Sequence, residues 1–277
     1  MRLLSSGDTN TKMKKSNGRG YLLFGLSLAP ASESGYNLCA GSTASCRAGC
    51  VLWWAGRSKM PSVRRARIRK ARRLFEHRRA FVDELTADAS LAVRQAKRKD
   101  LECVIRLNVA SDQVWEVIAP ELFNRERFPV QWYDYTKLWR RRPPANYHLT
   151  YSFSEATTTD DALVKLRAGS NVAIVFDTIY NPSHGNVGAL PERWNRFKVV
   201  DGDYAHGDLR LPDLDGRGVV IGLRGKGGIA KVSDMIRGGF ALPVPDGVAA
   251  RYGIDAARTT SGQWIRDLSA VPMTISA

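Results

Sequence analysis

Six short apolar runs, separated by helical patterns, constrain the fold of this chain more than any other feature of the sequence. They cover 21–29, Cys103 to Asn108, Val130 to Tyr135, Tyr147 to Ser154, Val172 to Phe176 and Val219 to Leu223. The run Val172-Ala173-Ile174-Val175-Phe176 shows no polar alternation, which suits a strand buried on both faces, as in a parallel sheet. Strand followed by helix over most of the length predicts βαβ units and an α/β fold of about six mostly parallel strands with helices outside. An open doubly wound sheet and a partial (β/α) barrel both satisfy that pattern. Residues 1–20 are polar and basic and read as a flexible arm. The remainder, 21–277, is expected to be a single α/β domain, with a cysteine loop at 30–57 and a long irregular insert at 177–218.

The longest helical signal runs from Pro61 to Lys99. Proline fits a first helical turn. Ala71, Leu74, Phe75, Val82, Leu85, Ala89, Val93 and Ala96 recur at three- and four-residue steps and form one apolar stripe. A break near His77 to Ala80 would make two helices. The opposite face is rich in arginine. Over the whole chain, 42 Lys and Arg stand against 27 Asp and Glu, a net charge of +15. Between Arg57 and Lys99 alone, fifteen basic residues face four acids, Glu76, Asp83, Glu84 and Asp88. A surplus concentrated in one segment points to a polyanionic partner, with nucleic acid foremost. Arg64, Arg65, Arg69, Arg72 and Arg73 are the expected phosphate contacts; a solvated helix exterior is the plain alternative.

Three of the four cysteines, Cys39, Cys46 and Cys50, fall within twelve residues after the first strand. Soft thiolates hold zinc or iron–sulfur clusters, and Gly35, Gly41 and Gly49 allow the loop to wrap. A disulfide or inert thiols are the alternatives. The N-terminal residues lack the apolar core of a signal peptide, and no run approaches the roughly 20 apolar residues of a membrane span. A cytoplasmic location is expected, where reduced thiols favour metal binding.

In α/β folds, ligands meet the carboxyl ends of the strands. Those ends carry Asn108, Ser111 and Asp112; Asp134, Thr136 and Lys137; Ser152, Ser154 and Glu155; Asp177 and Thr178; and Arg224 and Lys226. Any one of them can be a helix cap or a turn residue, so the weight lies in the set. Gly222 to Gly228 follows a strand and has the backbone N–H groups to cradle phosphate, although it matches no strict motif.

The order of segments also carries a resemblance. A basic arm leads to Gly25-Leu26-Ser27-Leu28-Ala29-Pro30, the three cysteines and Ala66-Arg67-Ile68-Arg69-Lys70. Arg106-Leu107-Asn108 with Ser111-Asp112, Tyr133-Asp134-Tyr135-Thr136-Lys137, Asn146 to Glu155, and Asp201-Gly202-Asp203 follow. This resembles the phage family called Gene product 88, found in actinobacteriophages and their hosts, from Leu3 to about Arg266; the resemblance implies no particular activity. More distantly, three cysteines after the first strand of a partial barrel are similar to radical S-adenosylmethionine enzymes. That likeness implies a partial (β/α) barrel in which Cys39, Cys46 and Cys50 hold a [4Fe–4S] cluster that takes S-adenosylmethionine. It further implies Asp112, Asp134, Lys137 and Glu155 as catalytic groups, Asn108, Ser111 and Ser154 as cofactor contacts, and a nucleic-acid or nucleotide substrate. The chain departs from that family in its cysteine intervals, six then three instead of three then two, and in having Asn108-Val109-Ala110-Ser111-Asp112 where a Gly-Gly-Glu stretch is usual. The alternative is a non-enzymatic nucleic-acid-binding protein with a structural zinc site, using Trp53, Trp54 and the arginine-rich helix.

Overall fold

The structure, a computed structural model, describes residues 2–7, 20–54, 60–179, 187–203 and 218–255. Its strands are β1 (Leu4–Ser6), β2 (Tyr21–Leu26), β3 (Glu102–Arg106), β4 (Val130–Thr136), β5 (Tyr147–Ser152), β6 (Val172–Phe176), β7 (Arg193–Trp194), β8 (Phe197–Asp201), β9 (Val220–Arg224) and β10 (Ala241–Leu242). Its α-helices are α1 (Ala44–Ala48), α2 (Val51–Trp54), α3 (Pro61–Glu76), α4 (Arg78–Arg98), α5 (Trp115–Ile118), α6 (Thr159–Arg167), α7 (Gly228–Arg237) and α8 (Val248–Tyr252). The fold is mixed α/β, with mostly parallel strands. The chain divides into two compact units, one of Met1–Ser42, Cys50–Tyr151 and Gly202–Asp215, the other of Thr43–Gly49, Ser152–Asp201 and Gly216–Ala277.

In the first unit the strands lie in chain order, β1 to β5. β1 runs antiparallel to β2, while β2, β3, β4 and β5 pair in parallel. Leu22, Leu23, Phe24, Val104 and Ile105 are all buried, so both faces of β2 and β3 are covered, as continuous apolar runs require. The crossover between these two strands is the α3–α4 pair. Pro61 opens α3, and His77, with φ −137° and ψ 51°, breaks the helix before α4. The core face is Ala71 and Leu74 of α3, then Phe81, Val82, Leu85, Ala89, Ala92 and Ala96 of α4. Phe75 is half-buried and stacks on Tyr36 at 4.5 Å between ring centroids.

The residues expected to form only a flexible arm contribute β1. Leu3 and Leu4 are buried. Their N–H groups donate to Asp88 Oδ2 at 2.6 and 3.0 Å, and Lys70 Nζ donates to Leu3 O at 2.7 Å. Two leucines supply enough apolar surface to dock a three-residue strand; the surrounding Ser, Lys and Gly hide that in the composition. The cysteine segment is not one loop either. Thr43 caps α1 by accepting the Cys46 N–H at 3.2 Å, and α2 follows directly.

In the second unit, β9 and β10 each pair in parallel with β6, β8 pairs in parallel with β9, and β7 returns antiparallel on β8. β7 and β8 form a hairpin inside the stretch expected to be irregular; of that stretch, 180–186 and 204–217 lie outside the described residues. Its turn residues Asn195 and Arg196 both take positive φ, 45° and 71°, the conformation of a tight two-residue turn that normally selects glycine. Arginine at that position removes the sequence signal. Asp177, at the end of β6, is fully buried and accepts the N–H groups of Val244 at 2.8 Å and Ala249 at 2.9 Å. It thereby ties β6 to the segments before and within α8. Among the described residues no helix is long and apolar enough to cross a membrane.

Gly247 lies against that carboxylate: a Cβ there would sit 2.0 Å from Asp177 Oδ1. Gly247→Ala is therefore expected to lower stability by about 1–3 kcal/mol through overpacking, measured by thermal or urea unfolding. An unchanged midpoint would mean the Asp177 hub yields freely.

Candidate functional site

The carboxyl ends of β3 and β4 and the start of β5, all in the first unit, carry a buried polar network centred on Asp134. This carboxylate is 0% exposed. Its Oδ1 accepts the Asn108 N–H at 2.7 Å; Oδ2 accepts the Tyr147 hydroxyl at 2.6 Å and Asn108 Nδ2 at 3.2 Å. Arg106 Nε is 3.8 Å from Oδ1, and the same guanidinium lies over the ring of Tyr135 at 4.8 Å. Burial pushes the Asp134 pKa up to about 7, against the pull of Arg106, Tyr147, Asn108 and Arg141. Burial and the adjacent Asp134 likewise hold Tyr147 well above the ordinary phenol range.

Asn108 passes the order outward. Its Oδ1 accepts from Ser111 Oγ at 2.9 Å, the Gln113 N–H at 2.9 Å and Trp115 Nε1 at 3.1 Å. The loop after β3 is thus wound around one amide. Asp112 joins that loop to the end of β4, accepting the Thr136 hydroxyl and the Lys137 N–H, each at 2.7 Å. Burial raises its pKa, while the Lys137 and Thr136 hydrogen bonds and the Arg141 charge oppose the rise.

Arg141 closes the network from the far side of the β4–β5 connection. Its Nε and Nη2 bind Glu116 at 2.9 and 2.5 Å, Nη2 also reaches the Tyr147 hydroxyl at 3.1 Å, and Nη1 stands 3.6 Å from Asp112 Oδ1. Burial alone would weaken its charge, but Glu116 and Tyr147 more than offset this, so its pKa lies above the ordinary value.

Of the residues singled out from sequence, Asn108, Ser111, Asp112 and Asp134 are brought together here, and Lys137 lines the cleft beside them. Ser154 and Glu155 belong to the second unit. There Ser154 pairs with Thr157, and Glu155 Oε1 accepts the Ser45 N–H at 3.0 Å. Asp112 and Asp134 each have their oxygens turned to internal donors. They act as buttresses for two loops. Sequence reading passed over Arg106, Glu116, Arg141 and Tyr147; Arg141 sits in an Arg-Arg-Arg-Pro-Pro turn, and nothing local distinguishes it from its exposed neighbours.

Cys39 lies beside this network. Its backbone forms a β-bridge with Asp112, and its Sγ accepts the Ala31 N–H at 3.3 Å. Cys50 belongs to the same unit and Cys46 to the second. No disulfide joins the cysteines. No group of three or more His, Cys, Asp or Glu side chains that could hold a metal ion is assembled among the described residues. Burial pushes the Cys103 thiol up to about 12 and His148 down to about 4. Both are neutral near neutral pH.

The five arginines named on α3 divide into two sets. Arg64 pairs with Glu33, Arg72 Nε donates to Ser34 O at 3.0 Å, and Arg73 binds Glu84 through both terminal nitrogens at 3.1 and 2.5 Å. Arg65 and Arg69 are exposed and, among the described residues, make no hydrogen bond or ion pair. Of the two tryptophans, Trp53 is exposed on α2; the side chain of Trp54 lies outside the described residues.

Asp134→Ala would leave Tyr147, Asn108 and Arg106 facing an empty buried site, an expected loss of about 3–5 kcal/mol. The pH dependence has a definite sign. The folded carboxyl binds its proton up to about pH 7, whereas the unfolded one releases it near pH 4. The stability due to this group is complete below pH 4 and is lost as pH rises to 7. Unfolding of wild type and Asp134→Asn across pH 4–8 should show the difference shifting towards the variant as pH rises; a constant difference would contradict the raised value.

No curated protein and no solved structure matches the chain, and nothing in these comparisons supports the distant likeness to radical S-adenosylmethionine enzymes. The family model described as Gene product 88 matches residues 2–238. The match spans β1 through α7 and takes in the whole Asp134 network, and the chain belongs to the Gene product 88 family.

Proposed function

We propose that this protein binds nucleic acid through the exposed arginines of α3. The observation that carries the reading is the pairing pattern on that helix. Seven basic residues (Arg64, Arg65, Arg67, Arg69, Lys70, Arg72 and Arg73) stand against the single acid Glu76, and no acid falls in the first turn. Arg65 and Arg69 are one turn apart, about 6 Å along the axis. Like charges at this spacing destabilise a helix by a few tenths of a kcal/mol. The fold supplies acids for Arg64 and Arg73 and leaves Arg65 and Arg69 to solvent. A phosphate backbone relieves that repulsion. Fifteen basic residues against four acids between Arg57 and Lys99 supply most of the net charge of +15, so the long-range attraction centres on this helix pair.

This reading needs no metal, and the thiols stay outside it. A catalytic reading has less behind it, because Asp112 and Asp134 are occupied by internal donors.

Binding of a fluorescein-labelled duplex, followed by anisotropy over a range of salt concentrations, tests the proposal. Wild type should bind with a steep salt dependence. Arg65→Ala/Arg69→Ala should lower the slope of log affinity against log salt by about 2, one unit for each phosphate no longer neutralised. No wild-type binding at low salt, or an unchanged slope in the double variant, would overturn it.

A further inference from the structure

We infer that the cleft at the β4–β5 connection, beside Arg141, is a site for one nucleotide unit, taking an unstacked base together with its phosphate. This rests on the nucleic-acid reading and deepens it by naming single strands as the preferred form.

The cleft has a volume of about 690 Å³, and its lining includes Glu116, Lys137, Trp139, Arg140, Arg141 and Arg142. That volume falls in the range of small-ligand sites. Four cations thus face one carboxylate, and Glu116 is already committed to Arg141. Arg140 and Arg142 are exposed and, among the described residues, have no hydrogen-bond or ionic partner. They flank a guanidinium whose side chain is only 3% exposed and fixed by Glu116, Tyr147 and Asp112. Arg141 Nη1 is buried and faces Asp112 Oδ1 at 3.6 Å, so the floor of the cleft is neutralised by the fold's own carboxylates, and the exposed guanidinium groups of Arg140 and Arg142 at its rim are the ones left for a phosphate.

The apolar part of the lining fits the other half of a nucleotide. Trp139 is half-buried and braced by Tyr151, with ring centroids 5.3 Å apart at 35°. Val117, 75% exposed, opens on the same cleft. A large apolar side chain so exposed in a cleft that also holds an indole is a poor arrangement for water and a good one for an aromatic base. Stacking on an indole accepts any base, whereas duplex bases are covered by their neighbours. The Asp134–Asn108–Asp112 network holds the loops beneath in one conformation, so the cleft is preformed.

The test compares a labelled ten-nucleotide thymidine strand, a duplex of equal length and free thymidine 5′-monophosphate, on the full chain. Trp139→Leu should weaken strand binding at least about fivefold and leave duplex binding unchanged. Arg140→Glu/Arg142→Glu, at two exposed positions that do not threaten folding, should weaken the strand more than the duplex. Arg65→Ala/Arg69→Ala should weaken both alike. If the monophosphate binds, Arg140→Glu/Arg142→Glu abolishes that binding, and neither polymer binds, the cleft stands as a free-nucleotide site while the α3 reading falls. If the cleft variants bind the strand as wild type does, or lower strand and duplex equally, the inference is wrong. It is equally wrong if neither the strand nor the monophosphate binds wild type.

Discussion

A single buried carboxylate organises the functional end of the first unit. Asp134 sits at the end of a central strand with no access to water, where an uncompensated negative charge would be prohibitive. Everything around it supplies donors: the Asn108 backbone and amide, the Tyr147 hydroxyl and the Arg106 guanidinium. Satisfying the carboxylate fixes Asn108, and satisfying Asn108 fixes the turn from Ser111 to Trp115. Networks of this kind do not tolerate partial occupancy, because the same low dielectric that strengthens each bond makes each unmet group costly. The loop positions at the strand ends follow from this chain of dependence.

The same electrostatic logic separates the arginines of this protein into two populations. Arg106, Arg141 and Arg73 face carboxylates of the fold and contribute structure. Arg65, Arg69, Arg140 and Arg142 are exposed and, among the described residues, have no such partners. Composition cannot tell these populations apart. The basic surplus spread along α3 narrows to a few side chains once the internal pairs are removed, and a second outward set emerges on the β4–β5 connection, where the sequence suggests only a turn. Surface pairs such as Arg73–Glu84 add little stability, yet they decide which cations remain for a polyanion.

Legibility in the sequence follows the size of the apolar signal. The six continuous runs correspond to β2, β3, β4, β5, β6 and β9, because burial on both faces leaves few polar positions to confuse the pattern. The helix break at His77 is legible from the loss of the apolar stripe. β7 and β10 are two residues long and β8 is half-exposed, so neither length nor pattern marks them. At the site, the strand-end rule locates Asn108, Asp112 and Asp134 together. It does not reveal Tyr147 and Arg141 as partners of the two carboxylates, or Glu116 as the partner of Arg141, since ion pairs across 25 residues leave no periodic trace. The cysteine spacing is the most conspicuous local feature and the least informative about the assembled donors, because proximity along a chain does not aim side chains at a common point.

The grip of Asp88 on the backbone of Leu3 and Leu4 has a consequence for how the chain is made. The partners are 85 and 84 residues apart, and a ribosome adds about 5–20 residues per second. The first strand is therefore synthesised several seconds before the carboxylate that holds it. During that interval the edge of β2 that β3 covers has no neighbour, since β3 is made later still. That unguarded edge of Tyr21–Leu26 is a point at which a nascent chain is open to pairing with another copy of itself.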